Sequence, residues 1–130
     1  MLRRSRADQR GAAVLEFALV LPIVFVILVA VVQIGVIARD RLVLAQAARA
    51  GAREAAIQDS AEAVEGAARA GGAGLDPTRL RIEITRTGPR GSPVTVSLDY
   101  EVPVAGVLAG WLLPTSVTLR AGATTRQEFG

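Results

Sequence analysis

The chain contains no cysteine, no histidine and no lysine. Without cysteine there are no disulfides and no thiol nucleophile, and without histidine there is no imidazole base and almost no route to a transition-metal site. A serine triad cannot be built, and no serine stands in a nucleophile-elbow context. Acidic pairs such as Glu62 with Glu65, or Asp99 with Glu101, fall in helical or alternating-strand settings, where a solvated charged surface accounts for them better than acid-base work. Gly71-Gly72-Ala73-Gly74 lacks the lysine and the spacing of a phosphate loop. These absences lead to the expectation of a non-enzymatic protein with no cofactor, no metal and no small-molecule substrate.

At 130 residues and 13.6 kDa there is room for one small domain, and much of the apolar content sits in one stretch near the N-terminus. Any domain beyond it is modest and, lacking disulfides, has to hold together by packing. The net charge of +3 is confined to the first eleven residues, where Arg3, Arg4, Arg6 and Arg10 face only Asp8. Residues 12–130 carry eleven arginines against eleven acids. A balanced body with a basic tip does not describe a nucleic-acid ligand. Arginines directly before an apolar run resist translocation, so the tip is expected to stay in the cytoplasm.

Residues 17–38 read FALVLPIVFVILVAVVQIGVIA, with Gln33 the only strongly polar side chain. As a helix this run is about 33 Å long, enough to cross a hydrocarbon core of roughly 30 Å. It is apolar on every face, whereas a soluble core helix of this kind would need a far larger protein around it. A cleaved secretory signal competes, but the run exceeds the usual apolar region of about 7–15 residues. It also ends on Val36-Ile37-Ala38-Arg39 with no small-x-small site, and Ala45-Gln46-Ala47 comes only after Arg39, Asp40 and Arg41. Pro22 removes one backbone donor in the first half, so a kink or loosened hydrogen bonding is expected there. The expected organisation is a basic cytoplasmic leader at 1–11, a transmembrane helix at 12–38 and an extracytoplasmic domain at 39–130.

Glu16 is out of place, between Ala13-Val14-Leu15 and Phe17-Ala18-Leu19 at the start of the apolar run. A carboxylate there calls for a partner, since insertion into the bilayer centre costs about 2.5–3.5 kcal/mol and less near the edge. Position alone leaves two readings open: Glu16 reaches back to the headgroups and Arg10, or it is paired in an assembly.

The string Arg10-Gly11-Ala12-Ala13-Val14-Leu15-Glu16-Phe17 resembles the processing site of type IV prepilins: a basic leader, a glycine, then an apolar stretch whose fifth residue is glutamate followed by an aromatic. Residues 10–56, with the Glu16-to-Pro22 run, Gln33 and the segment Ala47-Ala48-Arg49-Ala50-Gly51-Ala52-Arg53, are similar to the N-terminal half of the TadE-like proteins, minor pseudopilins of tight-adherence (Flp/Tad) pili. Members of that family commonly carry an acid where this chain has Gln33. The resemblance implies that prepilin peptidase cuts between Gly11 and Ala12 at the cytoplasmic face, with Glu16, Phe17 and Pro22 in assembly and helix packing. It also implies a bacterial cytoplasmic-membrane location and, as partners, lipid, the peptidase, other pilins or pseudopilins and the Tad inner-membrane components. The other reading is an unprocessed, membrane-anchored binding module of a cell-surface or secretion complex.

Beyond Arg41 the alanine-rich sequence continues as helix. Leu42, Ala45, Arg49 and Ala52 fall on one side, and Ala48, Gly51 and Ala55 form a small-residue stripe. That stripe suits either a neighbouring subunit or the chain's own sheet. Residues 60–70 read as a second helix with Ser60 as N-cap, ended by the glycines at 71–74. Alternation then predicts strands over 80–86, 94–102 and, more weakly, 117–125, the first two as a hairpin through a Gly/Pro turn at 87–92. The fold class is therefore α+β: a long transmembrane helix continuing into an outer helix packed on a small antiparallel sheet, as in pseudopilins. Between the last two strands, residues 103–114 read PVAGVLAGWLLP, far too apolar for ordinary loop chemistry. Own-domain packing, a partner subunit and a membrane surface holding Trp111 at headgroup level are all open.

Overall fold

The computed structural model describes residues 6–104, 106, 109–111 and 114–129, with the side chains of residues 6–8 left aside. Arg3 and Arg4 of the basic leader lie outside the described residues, as do Ala105, Val107, Leu108, Leu112 and Leu113 of the apolar connection.

One helix dominates. α1 runs from Arg6 to Ile57, 52 residues, and at 1.5 Å per residue is about 78 Å long. Its first half is built from Leu, Val, Ile and Ala, its second half is rich in alanine, the best helix former, and neither half offers a stop signal. Pro22 lies inside without interrupting it. The expected change from membrane helix to outer helix near Ala38 is likewise unmarked: Arg39, Asp40 and Arg41 are all helical.

α1 ends before Gln58-Asp59-Ser60, and α2 covers Ala61–Gly71. Ser60 caps α2 as its sequence position suggests, its hydroxyl accepting from the Ala63 amide at 3.3 Å. At the other end the Gly72 amide donates to the Ala68 and Arg69 carbonyls, and Gly74, at φ +98°, turns the chain away. A 3₁₀ turn, Pro77–Arg79, leads into β1, Leu80–Arg86. β2 spans Pro93–Pro103 and β3 spans Ser116–Arg126.

The three strands form an antiparallel meander in the order β1-β2-β3, with Ile82 opposite Leu98 and Leu98 opposite Ala121. Strand alternation decides what faces the helices. Val94, Val96, Leu98, Tyr100 and Val102 of the central strand are all buried against α1 and α2, with Leu80 and Leu119 from the edge strands. The opposite face is polar and open: Arg120 pairs with Asp99 at 3.1 Å, and the hydroxyls of Thr95 and Thr124 lie 2.9 Å apart.

The small-residue stripe of α1 is consumed inside this domain. Ala48, Gly51 and Ala55 are buried, and a Cβ built on Gly51 would stand 3.1 Å from both Ala68 Cβ and Val96 Cγ1. The stripe thus lets α2 and the sheet approach α1 closely, which answers the choice left open between subunit and own-sheet packing.

Two features at the end remote from the apolar half had no counterpart in the sequence reading. After β3 the chain is pinned back: the Glu128 amide donates to the Ala56 carbonyl at 2.7 Å, and Gln127 exchanges backbone bonds with Gly91 and Ser92. Beside it, Arg86 reaches from the end of β1 to the last turn of α1, pairs with Asp59 at 3.3 Å and lies over the Phe129 ring.

Candidate functional site

The domain leaves the N-terminal half of α1 bare. An 18-residue window of this helix, long and apolar enough to span a membrane, has none of its residues buried by the rest of the chain. Between Val14 and Val36, fifteen of the described large apolar side chains are exposed. At about 1.5–3 kcal/mol for each such side chain moved out of water, the unrealised burial is on the order of tens of kcal/mol. A small domain has only about 5–15 kcal/mol of net stability to set against that. The helix therefore belongs in lipid or among partner helices, consistent with a single-pass membrane anchor.

At its start, the residues marked out by the prepilin-like pattern lie on consecutive helical turns. Gly11 and Ala12 are both helical and exposed, and nothing approaches within 4 Å of a Cβ built on Gly11. Glu16 is one turn further on, exposed, and makes no ion pair with any described residue, Arg10 included. With Ala13, Phe17 and Val20 it lines a shallow groove along one side of the helix. The i, i+3, i+4 and i+7 spacing of these four explains their common face. Chemically the groove presents one carboxylate on an otherwise apolar surface, which favours a cationic partner in a low-dielectric setting. Pro22 leaves the carbonyl of Ala18 without its usual helical donor, just past this groove.

Gln33, the one strongly polar side chain of the run, is tied to the helix-and-sheet domain. Its amide Nε2 donates to the Pro103 carbonyl at 3.1 Å, across 70 residues of sequence. The signal was present in the sequence, since a polar side chain in an apolar helix needs a partner, but nothing there named which. The bond fixes the base of the β2–β3 connection against α1. Just beyond it the Val104 amide donates to the Thr115 carbonyl at 3.0 Å and Val104 is buried, while Trp111 is 81% exposed.

Asp40 marks the other side of this junction. It is buried and held by Arg39 at 3.1 Å, a guanidinium that is itself mostly exposed and passes close to Gly74. No group of three or more metal-ligating side chains occurs among the described residues. At the turn before β1, Asp76 is held below the ordinary carboxylate value by hydrogen bonds from the Thr78 hydroxyl and amide, at 2.7 and 2.9 Å, with Arg79 nearby. Its own amide donates to the Tyr100 hydroxyl, so the turn is fastened to the central strand.

Comparison with known families matches residues 11–53 to the family described as TadE-like protein. The match begins at Gly11, takes in Glu16, Phe17, Pro22 and Gln33, and ends inside the buried half of α1. Neither curated proteins nor solved structures give a match to the chain.

Proposed function

We propose, from the premise that the chain is TadE-like over residues 11–53 and hence a component associated with tight-adherence pili, that it acts as a minor pseudopilin of that pilus-assembly or secretion system. In this reading α1 crosses the bacterial cytoplasmic membrane once, with the basic leader inside and residues 39–130 outside. Prepilin peptidase cuts between Gly11 and Ala12, and the chain then contributes its apolar half to an assembly with other pilins, pseudopilins and Tad membrane components. The role is structural and non-catalytic, with no cofactor and no nucleic acid.

The observation that carries the reading is Glu16 on the bare apolar face of α1, unpaired with any described residue and four positions from Ala12. Cleavage before Ala12 creates an α-ammonium one helical turn from that carboxylate. In a medium of low dielectric the two charges neutralise each other, within one chain or between neighbours, and side-by-side packing of helices becomes affordable. Phe17 and the groove beside Glu16 supply the apolar contact, and Pro22 frees a carbonyl for a neighbouring donor.

One observation favours the uncut anchor instead: α1 runs without a break across Gly11-Ala12, whereas a peptidase works on unwound chain. Glycine is a poor helix residue, about 1 kcal/mol worse than alanine, so this is where the helix opens most cheaply. The deciding experiment is the N-terminal residue and intact mass of the protein from native membranes, with and without prepilin peptidase. A mature chain starting at Ala12 only when the peptidase is present is the expected result; an intact N-terminus in both overturns processing. Glu16→Ala is expected to insert normally and to impair assembly, and wild-type piliation in that variant overturns the role given to Glu16.

A further inference from the structure

We propose that Trp111, between β2 and β3, makes a second membrane contact, seated in the outer interface of the bilayer that α1 crosses. Its position is set by the helix. The Gln33 to Pro103 bond holds the end of β2 five residues below Ala38, where the apolar run closes. Five residues of helix are about 7.5 Å, close to the thickness of one interfacial layer of a bilayer about 40–45 Å thick with a hydrocarbon core of about 30 Å. With Arg39 at the headgroups, Gln33 and the base of the connection stand at the edge of the hydrocarbon.

Composition fits that depth. Residues 103–114 contain no charged side chain and no polar one except the indole N–H of Trp111. Tryptophan prefers this zone because its ring is apolar and its N–H finds partners among headgroups. The indole is 81% exposed, and among the described residues of the connection Val104, at its start, is the one buried in the domain's own core. The lipid surface proposed to receive it is continuous with the one that covers α1, whose neighbouring Val32 and Ile34 are exposed. Polar groups resume at once beyond the base: the Ser116 hydroxyl donates to Glu101 at 2.8 Å, and Arg79 lies in the same shallow hollow.

A consequence follows at the opposite face. If Gln33 marks the outer edge, a core of about 30 Å takes twenty residues and ends near Ala13, so Glu16 lies within the hydrocarbon rather than at its rim. The inference rests on α1 spanning a bilayer and is independent of any role in a pilus.

The chain's single tryptophan makes the test direct. The full-length protein is reconstituted at low protein-to-lipid ratio into phosphatidylcholine/phosphatidylglycerol vesicles, and spanning by α1 is checked first by resistance to alkaline extraction. Tryptophan emission is then followed with acrylamide in the water and with lipids brominated at shallow or deep acyl positions. Blue-shifted emission, severalfold stronger quenching by shallow than by deep bromines and severalfold protection from acrylamide are expected. Emission and acrylamide quenching like those of a free tryptophan peptide, in protein that resists extraction, overturns the proposal without touching the spanning of α1. Emission shielded from both quenchers means that protein covers the indole, and overturns it as well.

Discussion

Arg86 Nη2 donates to the main-chain carbonyl of Gln58 at 3.0 Å, just past the end of α1, while Nη1 reaches the Ala55 carbonyl at 3.1 Å. The last carbonyls of a helix have no partner within it and carry its negative end, so a fixed cation there satisfies both needs. The same guanidinium bonds Gln127 and lies over Phe129, so it joins the end of β1, the end of α1 and the tail after β3.

Replacing that group removes charge-assisted hydrogen bonds from a site that is only partly exposed. Arg86→Met is expected to destabilise the helix-and-sheet domain by about 2 kcal/mol. For a domain of this size that lowers the thermal midpoint by roughly 8–16 °C. Arg86→Lys recovers only part of the loss, because an ammonium cannot span both carbonyls. Thermal denaturation of the detergent-solubilised protein, followed by circular dichroism, measures both variants. Equal midpoints for wild type and Arg86→Met would remove Arg86 from the stabilising contacts.

The crossing of α1 and α2 makes a second prediction. At Gly51 the nearest atoms to a new Cβ are Ala68 Cβ and Val96 Cγ1, neither of them the end of a long flexible chain. Gly51→Leu therefore forces α2 or the sheet away and is expected to cost about 1–3 kcal/mol or more. Gly66, with nothing within 4 Å of its Cβ position, is the control. Gly66→Ala is expected to be neutral or to stabilise by up to about 1 kcal/mol through helix propensity. Chemical denaturation of the two variants side by side reads the difference, and a harmless Gly51→Leu would contradict the close approach.

Acidification probes the Asp76 turn. Its carboxyl titrates below the ordinary 3.8 because the ionised form accepts from Thr78. A group depressed in the folded state contributes stability above the unfolded value, and that contribution disappears as the pH falls through the lower folded value. The Thr78 amide resonance is expected to titrate with a midpoint below 3.8, and Asp76→Asn to abolish that step. A midpoint at or above 3.8 rules out the hydrogen-bonded carboxylate.

Much of this architecture could be read from residue pattern, for reasons that differ element by element. Residues 80–86 alternate so regularly that strand limits and observed limits coincide, and the other strands extend by one residue at each end. There the pattern reports burial on one face, which is local information. The position of Ser60 before Glu62 and the glycines after Ala70 bracketed α2 to within a residue. The packing destination of Ala48, Gly51 and Ala55 was not legible, because small residues at helical spacing suit a neighbouring subunit or an adjoining sheet equally well. Nor were the Gln33 to Pro103 bond, the Arg86 clamp and the docking of Glu128 on Ala56, all long-range contacts whose partners no local spacing specifies. Around Glu16 the apolar run was plain in the sequence, and the fold leaves that stretch of α1 exposed.

The absence of any break in α1 between its bare half and its packed half has a mechanical meaning. A joint near Arg39 would let the packed domain swivel while, in the proposed assembly, the apolar half settled among neighbours. An unbroken helix transmits torque instead. One residue of advance along the axis is about 1.5 Å of travel and about 100° of rotation, so each register the apolar half takes in an assembly points the polar sheet face in its own compass direction. Neighbours stacked by a fixed screw operation would then carry that face around the assembly as a spiral.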